Sequence, residues 1–319
     1  MKKILITGVS GFAGSFLAEE LLKDSENSVF GTTLSEVSLD KLPQLKDRVK
    51  AFPVDLLDKD KTSQIIDEVR PDIIFHLAAL TSPAESFEKP AEVMVNNIES
   101  QLSVLEGVRK ANLSNCKILI TSSAEIYGAV DPSDLPIDEN TPLKPMSPYA
   151  VSKIAQDFLG LQYYLSYKFP IIRIRPFNHI GPRQAPIFVV SAFAKKIAEI
   201  EKELRKPVLP VGNLESKRDF TDVRDIVKGY VLLSEKGTLG EVYNIGFGKS
   251  HKILDVLNKL LSFSDKKIEV RVDSSLFRPS DIPDLYADNT KINKQTGWTP
   301  TIPLEKSLKD TLDYWRENL

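Results

Sequence analysis

Tyr149 and Lys153 stand four residues apart in SPYAVSK, a spacing that sets both side chains on one face of a helix. An ammonium held close to a phenol oxygen favours the phenolate and draws the tyrosine pKa from about 10 toward neutrality. Such a tyrosine gives a proton to a forming alkoxide or takes one from an alcohol. Ser123, in TSSAEIYG at an expected strand end, is able to hydrogen-bond the same oxygen. A Tyr-x-x-x-Lys pair is common by chance, so its meaning depends on what surrounds it.

The surroundings begin with GVSGFAG, in which Gly8, Gly11 and Gly14 follow an apolar run and precede a helical stripe beginning at Phe12. A chain that must turn tightly, lay its backbone against a pyrophosphate and pack a helix closely on a sheet needs glycine. The helix start then offers unpaired N–H groups to the anion. These residues predict a dinucleotide site, with Asp55 in PVDLLD accepting from the adenine amino group and Leu56 beside it. About 20 residues past the glycines, where an acid would hold a ribose 2′-hydroxyl, stands Gly31-Thr32-Thr33-Leu34. The missing carboxylate removes a repulsion against a 2′-phosphate at Thr33. NADP(H) is therefore favoured over NAD(H), although no arginine is there to grip the phosphate.

The elements that must position these groups alternate. Apolar runs at Lys3–Thr7, Ser28–Thr33, Val49–Pro53, Asp72–Ala78 and Lys117–Ser122 predict strands covered on both faces. Helical stripes lie between them, and repeated β-α units force a parallel sheet with helices on both sides. The expected fold is α/β, a Rossmann-type doubly wound parallel sheet over residues 1–175. A smaller interleaved substrate domain follows over 176–319, with part of the chain returning to the sheet. The proline-rich stretch from Asp131 to Pro148 reads as a long functional loop, such as a substrate lid.

Composition narrows the class. Of 319 residues, 42% are hydrophobic, enough for a sizeable core, and 42 basic against 44 acidic residues leave a net charge of −2. Neither a basic excess nor a basic stripe supports nucleic-acid binding. A single cysteine, Cys116, allows no internal disulfide and suits a reducing compartment. Three separated histidines make no metal site. His76, inside the apolar IIFHLAA, reads as a hydrogen-bonded core or cofactor-edge residue rather than a base. The apolar part of MKKILITG is too short for a signal peptide or span, and no run approaches 18 apolar residues. The expectation is a cytoplasmic protein without a membrane partner.

Arginine's fork suits paired phosphate oxygens. Arg218 and Arg278 are therefore candidates for a substrate diphosphate, with Asn178 at the cleft rim after IIRIRPF and His179 beside it; Arg183 is a further candidate. GVSGFAG, DLLD, HLAA, TSSAEIYG, SPYAVSK, RPFNHIGPRQ, GNLESKRDFTDVRD and RPSD together span nearly the whole chain. In this order they resemble the extended short-chain dehydrogenase/reductase family, in its sugar-nucleotide branch. The resemblance implies Ser123, Tyr149 and Lys153 as the catalytic set and Leu77, Ala78 and Ala79 at the cofactor. It further implies Asn97 bracing the active-site backbone, and Arg278 and Asp281 of RPSD at the nucleotide. The later motifs look like the reductases of GDP-4-keto-6-deoxy-D-mannose and the related GDP-mannose 4,6-dehydratases. The resemblance to the reductases implies NAD(P)H-dependent reduction of a C4 ketone on a GDP-linked sugar, giving GDP-D-rhamnose. The alternatives are a dehydratase, in which Glu125 would take the C5 proton, and another sugar-nucleotide epimerase or reductase. Phe12-Ala13 in the glycine turn, where dehydratases usually carry Gln-Asp, points to the reductase. A non-catalytic NAD(P)-binding regulator is the contrasting class, and retention of Ser123, Tyr149 and Lys153 argues against it. Long amphipathic helices over 91–110 and 149–168 predict a homodimer through a four-helix contact.

Overall fold

The pentapeptide KILIT occurs twice, at 3–7 and 117–121, and both copies form central strands of one sheet. Ile4 and Ile6 face one hydrophobic layer and Leu5 the other; Leu119 and its neighbours Ile118 and Ile120 divide in the same way. Unbroken aliphatic runs are what a sheet buried on both faces requires. The computed structural model describes residues 1–35, 39–40, 42–277 and 282–319.

The first part of the chain runs β1 (Lys2–Thr7), α1 (Phe12–Leu21), β2 (Asn27–Thr33), α2 (Pro43–Lys46), β3 (Lys50–Pro53), α3 (Lys59–Val69) and β4 (Ile73–His76). It continues through α4 (Pro83–Glu88), α5 (Pro90–Lys110), β5 (Lys117–Thr121), α6 (Pro148–Tyr167) and β6 (Ile171–Pro176). Then come β7 (Asn178–Ile180), α7 (Val189–Glu201), β8 (Val208–Val211), β9 (Lys217–Asp222), α8 (Val223–Lys236) and β10 (Val242–Ile245). The last elements are β11 (Ser250–Lys252), α9 (Ile253–Leu261), β12 (Glu269–Val272), α10 (Thr290–Thr296) and α11 (Leu304–Glu317).

Seven parallel strands order as β10-β6-β5-β4-β1-β2-β3. The order reverses direction between β1 and β4, and a ligand crevice opens above the carboxyl ends of strands at such a point. Residues of α1 and α8 fill one layer with Trp298; residues of α3, α5 and α6 fill the other. After β6 the chain builds a smaller layer, in which β11-β9-β7 and β12-β8 pack with α7, α9 and α11 around Phe193, Phe220 and Leu257. From within that stretch α8 and β10 return to the main sheet.

Residues 131–148 differ from the expected lid. Ile137 is fully buried, its N–H bonding Tyr286 O at 2.9 Å and its carbonyl accepting from Asp288 N at 2.8 Å. The Glu139 carboxylate accepts from Asn244 N at 2.8 Å and its carbonyl from Arg175 at 3.1 Å. An apolar anchor and a half-buried carboxylate pin the segment to the stretch just before α10 and to β10, and none of its residues lines the main cavity. The composition looked like a free loop, but two side chains decide otherwise.

Candidate active site

Gly8 has φ +72°, which other residues adopt at a cost, and any Cβ on Gly14 would collide with the Gly8 carbonyl oxygen. The turn thus brings the start of α1 tightly under β1. Gly11 caps α1 without a side-chain hydrogen bond, and the first turn carries no acid, so its N–H groups face the crevice without an anionic competitor. Thr32 Oγ1 accepts from Gly8 N at 3.2 Å and Thr32 O from Val9 N at 3.1 Å, which fixes the turn to β2.

A cavity of about 860 Å³ opens from this turn. Gly8, Gly11, Phe12 and Gly14 line it, with Thr33, Asp55 and Leu56 at one end and Leu77, Ala78 and Ala79 along the floor. Asp55 is exposed, and its Oδ1 takes the Leu57 N–H at 3.0 Å, so the carboxylate is held in a tight turn with Oδ2 beside it. The hydroxyls of Thr121 and Tyr230 lie near each other on the same cavity wall, buried and without a partner at hydrogen-bond geometry. Buried polar atoms left open in this way fit a site built for a polar ligand. The glycine cradle, the uncapped helix start and these hydroxyls suit a dinucleotide.

Ser147 caps α6 by accepting from Ala150 N at 3.1 Å, with Pro148 in the first helical position. This start projects Tyr149 and, one turn on, Lys153 into the cavity wall. The Tyr149 phenol lies beside Ser123, which stands just beyond β5, and Glu125 is close enough for its charge to act on the phenol. Burial pushes the Tyr149 phenol above its usual range, outweighing the lowering influence of Ser123. This corrects the expectation of a phenol acidified by its lysine. Lys153 donates instead to Gln156 Oε1 at 2.6 Å, and burial pushes its ammonium down to about 7 against the raising field of Asp157. Asp157 is itself held by Arg173 at 2.7 Å and Arg175 at 2.9 Å, fully inside the protein. Asn97 is fully buried; its amide takes Leu80 N at 2.7 Å and gives to Leu80 O at 3.0 Å and Ser152 Oγ at 2.9 Å. It braces the backbone beside the active groups, as the resemblance implied.

Asn178, His179 and Arg218 also line the cavity. His179 stacks on Phe12 with ring centres 5.7 Å apart, and burial presses its imidazole below the ordinary value. Arg218 donates to Ile282 O at 2.6 Å, which turns it across the end of β9. Arg183 is elsewhere: its guanidinium lies 3.6 Å over the Phe16 ring and bonds Glu19 at 2.6 Å, both on α1. Its φ of +70° turns the chain so that the side chain meets α1 rather than the cavity. Arg278 and Asp281 lie outside the described residues. Sequence reasoning passed over Lys196 and Asn213, which also line the cavity, and Thr121, Tyr230 and Gln156 near Tyr149 and Lys153. The motif GNLESKRDF pointed to the first region; nothing in the amphipathic helices α6 and α8 signalled Gln156 or Tyr230.

With this geometry the chain matches the family described as GDP-mannose 4,6 dehydratase over residues 5–311. The chain belongs to this family. Its members share the extended short-chain dehydrogenase/reductase architecture, and the protein is an NAD(P)-dependent sugar-nucleotide oxidoreductase. Similar to it is the GDP-6-deoxy-D-mannose reductase of Pseudomonas aeruginosa, 30% identical over 318 residues, spanning 100% of this chain and 98% of that protein. The solved structure of RMD from Pseudomonas aeruginosa complexed with NADPH superposes with a TM-score of 0.86 at 30% identity, covering all of both chains. A UDP-glucose 4-epimerase from Thermotoga maritima, solved with UDP-glucose, gives 0.87 at 28% identity and 99% coverage of each. Among the described residues of this family member, no helix is long and apolar enough to cross a membrane.

Proposed function

We propose that the protein reduces the C4 ketone of GDP-4-keto-6-deoxy-D-mannose to the alcohol of GDP-D-rhamnose, using NADPH in preference to NADH. The observation that carries this reading is the end-to-end similarity to a GDP-6-deoxy-D-mannose reductase together with an intact Ser123, Tyr149 and Lys153 set on one cavity. When bound, the reduced dinucleotide supplies the hydride that C4 receives. Ser123 donates to the ketone oxygen and orients it beside the phenol. Tyr149, kept protonated by burial, gives its proton to that oxygen as negative charge develops. Lys153, one turn below, carries the positive charge that offsets the phenolate left behind and holds the nicotinamide ribose. Asn178, His179 and Arg218 face the sugar nucleotide. Gly8, Gly11, Phe12 and Gly14 take the pyrophosphate, Asp55 and Leu56 the adenine, Leu77, Ala78 and Ala79 the floor. Thr33 stands where a 2′-phosphate would lie, with no carboxylate beside it among the described residues 31–35.

The second reading is dehydration of GDP-mannose. Glu125 supports it, because a carboxylate whose charge reaches Tyr149 would serve as the base that takes the C5 proton. One experiment separates the two: GDP-mannose and its 4-keto-6-deoxy derivative are offered with and without reduced cofactor. Consumption of the keto sugar alone, with stoichiometric NADPH oxidation, supports the reductase. Conversion of GDP-mannose to the keto sugar without net cofactor change would replace it with the dehydratase. A Kd for NADH more than tenfold tighter than for NADPH, about 1.4 kcal/mol, would reverse the cofactor preference.

A homodimer is part of the same reading. Val95, Phe158 and Leu165, on α5 and α6, are 54%, 50% and 55% exposed, an apolar stripe that a second copy would cover. Sedimentation showing a monomer at micromolar concentration would exclude it. The buried thiol of Cys116 and the near-neutral charge fit a cytoplasmic protein without a nucleic-acid partner.

A further inference from the structure

A file of buried polar groups runs behind the catalytic lysine. Thr7 Oγ1 is 3.0 Å from His76 Nδ1, and His76 Nε2 is 3.4 Å from Gln156 Nε2. Gln156 Oε1 then accepts from Lys153 at 2.6 Å. All four side chains are buried. Thr7 ends β1, immediately before the glycine turn, and its oxygen accepts the N–H groups of Leu77 and Ala78, each at 3.1 Å. Gln156 is also anchored through its carbonyl, which takes Gln101 Nε2 at 2.8 Å.

The proton inventory of this file is tight. Two backbone N–H groups occupy the Thr7 oxygen, so its own hydrogen is best given to His76 Nδ1. A neutral imidazole then carries its proton on Nε2 and seeks an acceptor in the Gln156 amide. The Lys153 ammonium, with three donors, seeks the same amide oxygen. One amide has one oxygen, and turning the amide satisfies one claimant by denying the other.

We propose that Gln156 is a positioning residue for Lys153, and that His76, through which ring nitrogen bears its proton, sets which end of the Gln156 amide faces the lysine. With Lys153 charged, the amide oxygen faces the ammonium and the NH2 meets an unprotonated Nε2, which calls for the other tautomer, its Nδ1–H turned on the Thr7 oxygen in competition with the two backbone N–H groups. With Lys153 neutral, the amide turns and Nε2–H takes the oxygen. The charge of the catalytic lysine is thereby tied, through His76 and Thr7, to the strand end that carries the phosphate-binding turn. Both lysine states lie within reach, since burial has pushed Lys153 to about 7, while burial holds His76 at about 3 and leaves it neutral. Other groups around the lysine vary less. Asp157, on α6, is paired with Arg173 and Arg175 of β6. Tyr149 is protonated and coupled to Glu125 and Ser123 beyond β5, and α5 contributes the neutral amides of Asn97 and Gln101.

The inference rests on the reading of Lys153 as part of the reductive site, and its test uses a readout independent of the sugar. The full-length protein is labelled with 13C at lysine Cε, the Lys153 resonance is identified by its loss in K153R, and its titration is followed by NMR. Q156M keeps the reach of the side chain without its amide, and the Lys153 midpoint should fall by about one pH unit, tenfold in acid constant. Q156E should raise it by at least as much. H76N shortens the side chain out of reach of the amide, removes the competing donor and should raise the midpoint; in a Q156M background it should do nothing. The alkaline limb of kcat for the keto sugar should move with these midpoints. Midpoints that stay in place in both Gln156 variants, or an H76N effect that survives in Q156M, would overturn the proposal. Midpoints that move as stated in a protein unable to reduce the keto sugar would uphold it and remove the reaction assignment instead.

Discussion

Arg183 sits over Phe16, its Cζ 3.6 Å from the ring centre, with its NH1 2.6 Å from Glu19 Oε1. The contact joins the segment after β7 to α1, the helix that starts at the glycine turn. R183A should therefore lower the unfolding free energy by about 1 kcal/mol, because the pair is partly exposed and its worth is screened. R183G should lose less, since glycine accepts the φ of +70° without strain. Urea unfolding measures both. KM for the sugar nucleotide should stay within about twofold; a large KM increase at unchanged stability would return Arg183 to the substrate.

Tyr149 and Glu125 should separate in kinetics. Y149F should fold and bind NADPH normally and lose about 10²-fold or more in kcat, the usual scale for a lost general acid. E125Q should lose far less in ketone reduction, as it removes only a neighbouring charge. Stopped-flow and steady-state rates on the keto sugar decide this, and equal losses would argue for a direct role of Glu125.

Acid stability should depend on His76. Its folded pKa of about 3 lies below the unfolded value near 6.5, so folding excludes a proton that the unfolded chain takes up. The contribution is complete above pH 6.5 and is lost as pH falls toward 3, by about 1.4 kcal/mol per unit. Asp219 acts oppositely: burial raises its carboxyl to about 6, so the folded state gains stability as pH falls through that value. In the wild type the two offset each other between about pH 6 and 4. H76N removes one side, and its stability measured by urea unfolding should rise relative to wild type as pH falls through this window. Parallel curves would refute it.

Asn97 should be intolerant of truncation. N97A strips partners from Leu80 N, Leu80 O and Ser152 Oγ at once and should cost about 2 to 3 kcal/mol, read by thermal or urea unfolding. N97D keeps one acceptor and loses both donors, so it should not rescue.

The main sheet was largely legible because its strands are continuous aliphatic runs. KILIT and IIRIRP fall on β1, β5 and β6 within a residue at either end. The glycine turn and the grouping of Ser123, Tyr149 and Lys153 on one cavity were legible because their residue types and spacing are distinctive. The short strands β7, β8, β9 and β11 were not, since three to six residues in a turn-rich stretch carry no period. Arg183 was misread because the side of the chain on which an arginine emerges depends on one backbone angle. Gln156 was invisible: a neutral amide on a helix acquires meaning only from His76, 80 residues earlier.

The return of β10 and α8 to the main sheet has a consequence for the chain as it is made. Residues 1–176 hold six of the seven strands, yet β6 keeps a bare edge until Val242–Ile245 arrives. Ile172 and Ile174 also wait for Ile226, Tyr230 and Leu233 to cover them. A nascent chain that has just released Pro176 from the ribosome already owns its glycine turn and Ser123, Tyr149 and Lys153. It also displays an open strand edge above a greasy face, the combination that invites pairing with the wrong neighbour. The two halves are therefore bound by order of synthesis, and a break between them would leave the first half without a finished surface.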